Sequence, residues 1–97
     1  MLNPTPRERL LDPQGRPYFL WDCELTDGQF RALLLYADPQ VRAATIGKLM
    51  RQAKPDDVFQ YVTEDQVREQ WDEILPYLGQ TRRFWTWLFE TWSQLDG

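Results

Sequence analysis

Apolar positions in the stretch Asp38 to Val62 recur every three or four residues. On a helix turning about 100° per residue, Ala43, Ile46, Leu49, Met50 and Ala53 fall on one side. Lys48, Arg51 and Lys54 fall on another, with Gly47 beside them. Asp38 can cap this helix, and Pro39 suits its first turn, where a missing N–H costs nothing. Pro55 disfavours helical geometry at Lys54 and ends the helix. Asp56 and Asp57 then open a short second helix, where negative charge suits the free N–H groups. Gly47 costs about 1 kcal/mol against alanine in a helix interior, so something should compensate for it.

The same reading extends in both directions. Thr26-Asp27-Gly28-Gln29 fits a capping box and predicts a helix from Asp27 to about Tyr36, with Phe30, Leu33, Leu34 and Ala37 on one side. Almost no loop separates it from the helix at Pro39, which predicts an antiparallel hairpin or a sharp corner. Thr63-Glu64-Asp65-Gln66 is a second capping box, followed by Val67, Trp71, Ile74, Leu75 and Leu78 at helical spacing. Pro76 should kink or end that helix near Leu75, and Leu78-Gly79 reads as its stop. A last helix runs from about Thr81 to Gln94. Its apolar residues Phe84, Trp85, Trp87, Leu88, Phe89, Trp92 and Leu95 cover about 200°, wider than the stripe of about 100° that one-sided packing needs. Either this helix is buried on both sides, or part of the arc faces a partner. Trp87, at the edge away from Trp85 and Phe89, is the leading candidate for the surplus.

Pro4, Pro6, Pro13 and Pro17 forbid a continuous helix over residues 1–17. An extended arm is expected there, with room for one turn at Arg7 to Leu11 and a tight turn at Pro13-Gln14-Gly15-Arg16. Tyr18-Phe19-Leu20-Trp21-Asp22 is long enough for a strand and too short for a helix, but no second strand is available to pair with it. It is expected to pack as an extended plug on the helices; adding to a partner's sheet edge is the alternative. The expected fold is all-α: a small bundle of four to five short helices with an extended Pro-rich N-terminal arm. Residues 1–17 form the arm and residues 18–97 a single helical domain. The hairpin and its DPxVRxA opening resemble one unit of a HEAT-type repeat, but no second copy recurs at a fixed period, so a solenoid is rejected.

Composition narrows the chemistry. The chain has 97 residues, enough to bury about two-thirds of its unfolded surface in one modest core. No run of 18 apolar residues suggests a membrane span, and the opening residues contain no apolar segment of signal-peptide length. The cytoplasm is therefore the default expectation. Histidine is absent, which removes the commonest general base and metal ligand. The single cysteine, Cys23, has no internal disulfide partner and reads as a half-buried structural thiol. No cofactor and no metal set are read. Charge is uneven: residues 1–54 hold eight Lys/Arg and six Asp/Glu, and residues 55–97 hold three and nine, giving +2 and −6. An acidic second half disfavours a broad phosphate-binding surface there and suits a basic partner, unless it serves only solubility. Five tryptophans exceed what one small core needs, and tryptophan is enriched at binding hot spots.

The segments YFLWD (18–22), LT (25–26), FR (30–31), DPQVRA (38–43), GKLMRQAKPDDVFQYV (47–62) and LGQTRRFWTWL (78–88) together resemble a family of small bacterial proteins. These are encoded just upstream of abortive-infection nucleotidyltransferase toxins. The likeness covers most of residues 5–92. A more distant group of antitoxin-like proteins shares an aromatic-Trp-Asp opening and an acidic-aromatic helix similar to DDVFQYV. The resemblance implies an antitoxin or accessory partner of a nucleotidyltransferase that modifies RNA. It brings no catalytic motif, and the chain lacks the Gly-Ser and paired-aspartate pattern of the enzyme itself.

Three functions follow for weighing. The first is a proteinaceous antitoxin, not an enzyme, that buries Trp21, Trp85, Trp87 and Trp92 against its cognate toxin, with Lys48 and Arg51 as a basic docking strip. The strip has a blander reading as an ordinary solvated helix face. The second is a DNA-binding autoregulator of its own operon, with the helices near Pro55 imitating a helix-turn-helix. Asp56, Asp57, Glu64 and Asp65 oppose that reading, with only Arg68 basic nearby. The third is an enzyme holding magnesium on those acids. No glycine-rich phosphate loop accompanies them, and helix N-termini account for the same residues. Asp72, Glu73, Arg82 and Arg83 read as helix surface.

Overall fold

The structure is a computed structural model that describes residues 4–36 and 38–96. Among the described residues it is all-helical, with seven α-helical segments and no strand longer than an isolated bridge between Leu11 and Pro17. The segments are α1 (Arg7–Leu10), α2 (Asp27–Tyr36), α3 (Pro39–Gln52), α4 (Pro55–Val58), α5 (Glu64–Glu69), α6 (Trp71–Ile74) and α7 (Arg82–Asp96). Short 3₁₀ turns occupy Tyr18–Leu20, Leu75–Tyr77 and Gly79–Thr81.

The predicted caps form. The Asp38 carboxylate accepts the Val41 N–H at 3.0 Å and starts α3. Thr26 and Gln29 exchange reciprocal bonds ahead of α2, and Thr63 and Gln66 do the same ahead of α5. Each satisfies two donors that a helix start leaves free.

Helix α3 lies at the centre. Ala43, Ile46, Leu49, Met50 and Ala53 are all buried, as their spacing predicts, and α2, α4, α6 and the 3₁₀ turns gather on it. Phe30 and Leu34 of α2 join this core, and Leu33 is half-buried. Ala37, expected on the same side, lies outside the described residues. Gly47 meets the 3₁₀ turn at Tyr77 so closely that a Cβ there would overlap the Tyr77 Cβ. That approach is the compensation the glycine required.

Two elements differ from expectation. The helix after Thr63 breaks at Gln70, whose φ of −109° and ψ of 22° leave the α region. Its side-chain amide donates to the Pro39 carbonyl at 3.1 Å, tying the break to the start of α3. Pro76 then falls in a 3₁₀ turn after α6 ends at Ile74, and Gly79 reverses the chain with φ +56°. The run at Tyr18 does plug the core, with Phe19 and Leu20 buried, but as a 3₁₀ turn rather than an extended segment. A turn lets two consecutive side chains face the same core, which alternating strand geometry cannot do.

The proline-rich arm is held against the helices. Leu10 is buried, and the loop at Asp12 closes through the Gly15 N–H and both the backbone and side chain of Arg16, with Gly15 at φ +79°.

Candidate interaction surface

Tryptophans divide into core and surface by the element that carries them. Trp85 is on the inner side of α7, 1% exposed, and its indole N–H donates to the Met50 carbonyl at 3.0 Å. It was expected among the partner-facing rings; its place is the core, because the arc it shares with Phe89 is the one α7 turns inward. Trp92 is half-buried, with its ring centroid 5.5 Å from those of both Phe59 and Phe89. Trp71 sits edge-on to Phe89 at 5.3 Å.

The remaining two indoles face water. Trp21 is 76% exposed and Trp87 is 58% exposed. Trp21 follows the 3₁₀ plug, which is fixed from three sides. Phe19 and Leu20 are buried, Gln52 donates its amide to the Phe19 carbonyl at 2.7 Å, and the Tyr18 hydroxyl bonds Asp57. The plug therefore presents Trp21 on a rigid base. The next residue, Asp22, pairs with Lys48 at 2.7 Å, and the lysine holds its carboxyl below the usual carboxylate range. One turn along α3, Arg51 donates to the Tyr77 carbonyl at 2.9 Å. Lys48 thus lies beside the segment that carries Trp21 and Arg51 beside the turn at Tyr77, and both cations already serve the fold.

Trp87 is carried by α7. Its ring is 6.2 Å from that of Phe84, which is 42% exposed, and Leu95 further along α7 is 79% exposed. Trp87 forms one wall of an open hollow of about 540 Å³ lined also by Gly79, Gln80, Arg82, Arg83, Thr86 and Glu90. A second cleft of about 400 Å³ runs between α7 and Arg68–Trp71, floored by Phe89. Arg68 closes one end of it, bonded to Glu64, Ser93 and the Phe89 carbonyl.

Asp57 is the residue that sequence reasoning missed. From sequence it was read as a helix N-terminal acid, with magnesium binding as the alternative, and not as a buried residue. Its carboxylate is fully buried and accepts the Thr5 N–H and hydroxyl, the Tyr18 hydroxyl, and the Gln60 amide, all at 2.7–2.8 Å. Burial alone would raise the Asp57 carboxyl, but these donors outweigh it and hold the group below its ordinary value. The same burial, with the adjoining carboxylate, pushes the Tyr18 phenol up to about 12. Nothing local in Pro55-Asp56-Asp57 distinguishes the two acids; Thr5 is 52 positions away in sequence.

Among the described residues, no group of three or more Cys, Asp or Glu side chains is placed to hold a metal ion. No helix is long and apolar enough to cross a membrane among them either. Compared with known proteins, the chain matches no family model, no curated protein and no solved structure.

Proposed function

We propose that this chain is an antitoxin-like binding protein that neutralises a partner nucleotidyltransferase toxin by direct protein–protein contact. One observation carries the binding half of this reading: Trp21 stands 76% exposed on a base locked by Gln52 and Asp57. A large exposed indole on a fixed stretch of backbone is the type of anchor on which interfaces concentrate their energy, since the segment that carries it need not be ordered when it is covered. The identity of the partner comes from the family resemblance. The net charge of −6 over residues 55–97 supports it, because an acidic protein is drawn toward a basic, RNA-binding enzyme.

Lys48 and Arg51 weigh against DNA binding, since their charged groups are engaged by Asp22 and the Tyr77 carbonyl. The test is to mix the purified neighbouring nucleotidyltransferase with this protein at micromolar concentration and follow co-elution. A stable complex that Trp21→Ala weakens at least about tenfold, a loss of about 1.4 kcal/mol, is expected. Failure to co-elute removes the reading. A gel shift on the chain's own promoter that depends on Lys48, Arg51 and Lys54 would favour the autoregulator instead.

A further inference from the structure

The surface around Trp87 carries both an exposed ring and an open hollow. Arg83, Trp87, Glu90 and Gln94 are spaced four, three and four apart, the interval of a coiled-coil seam. At about 100° per residue they occupy an arc of about 60° on α7. Trp87 is the knob, and the open hollow of about 540 Å³ that it walls together with Arg82, Arg83 and Glu90 is the hole. Knob and hole belong to one patch. A basic residue precedes the tryptophan by one turn and an acidic residue follows it by one turn. Among the described residues, neither Arg83 nor Glu90 makes an ion pair within the chain.

We infer that α7 pairs antiparallel with α7 of a second copy of this chain, about a twofold axis beside Trp87. Each indole then enters the hollow of the other copy, and Arg83 of each faces Glu90 of the other. An isologous contact requires a patch that complements itself under such an axis. A parallel pairing would set Arg83 against Arg83 and Glu90 against Glu90, so charge selects the antiparallel one. Exposed Phe84 widens the apolar contact beside the indoles.

The size of the seam sets the strength. A helix of 15 residues is about 22 Å long, so a single-helix contact falls at the small end of specific interfaces, below about 1,200 Å² in total. The dimer is accordingly weak and reversible. This inference concerns the chain alone and does not rest on the toxin reading. With Trp87 covered, Trp21 remains the indole open to a different partner.

Sedimentation equilibrium of the full chain from about 1 to 200 µM tests it, with helix content by circular dichroism confirming that each variant is folded. Trp87→Ala should abolish dimerisation. Arg83→Glu and Glu90→Arg should each weaken it about tenfold, because each sets like charges together at two symmetric points. The double variant should recover to within about threefold of the parent. The sharpest arm mixes the two single variants: Arg83→Glu with Glu90→Arg should form a heterodimer where neither dimerises well alone. A parent that stays monomeric throughout, a dimer indifferent to Trp87→Ala, or single variants that neither the double change nor mixing restores would overturn the assignment.

Discussion

The molecule contains two aromatic clusters built from similar residues and finished differently. The first joins Tyr18, Phe19, Phe30 and Tyr61, with ring centroids 5.3–5.6 Å apart and edge-to-face geometry. Its polar tips are anchored: Tyr18 to Asp57, and Tyr61 to Asp27 with Arg31 stacked on its ring at 4.2 Å. The second surrounds α7 and joins Phe59, Trp71, Trp85, Phe89 and Trp92, with Phe84 and Trp87 continuing outward. Rings of the first cluster come from three separate stretches of chain, so each can be turned inward. Most rings of the second come from one helix, whose sides cannot all meet the same core. Concentrating aromatic residues on α7 leaves Phe84 and Trp87 at the surface, whereas all four rings of the first cluster turn inward.

Substitutions can break or sharpen that contrast. Trp85→Ala should have the largest effect, destabilising the fold by about 4 kcal/mol in chemical denaturation, since it opens a cavity and orphans the Met50 carbonyl. A loss below about 1 kcal/mol would mean that the inner side of α7 does not hold the core.

Asp57→Asn comes next and strikes the anchoring of the first cluster, at about 2 kcal/mol near neutral pH. Its signature is pH dependence. The folded carboxyl lies below its value in the unfolded chain, near 4, so its contribution is fully present above pH 4. That contribution is lost as pH falls through the lower folded value. Urea midpoints measured from pH 7 downward should therefore decline in the parent more steeply than in the variant.

Trp87→Ala should be the mildest for the monomer, within about 0.5 kcal/mol at concentrations too low for self-association. The gap of several kcal/mol between two tryptophans only two residues apart is the quantitative form of the comparison.

The parts of this fold that were readable from sequence are those set by near neighbours. Caps at Thr26, Asp38 and Thr63 and the buried face of α3 depend on residues three or four apart, and all are seen. A helical wheel also separated Trp87 from Trp85 and Phe89 correctly. It could not say which arc turns inward, so Trp85 was grouped with the partner-facing rings. Distant pairings were not readable at all. The Gln70 amide seeks Pro39 across 31 positions, and the Lys48 strip is engaged by Asp22 across 26. Asp57 carries no local mark of its burial, and the Tyr18 turn depends on a core that a five-residue window does not contain.

The bond from Thr5 to Asp57 spans a sequence separation of 52 and is made by the mostly exposed start of an arm whose apolar burial lies further along, at Leu10, Leu11 and Pro17. Closing so long a loop gains nothing until Asp57 and Tyr18 are already in position. The N-terminal segment should accordingly dock last during refolding and lift away first when the protein breathes, making amide exchange at Thr5 fast beside that of α3.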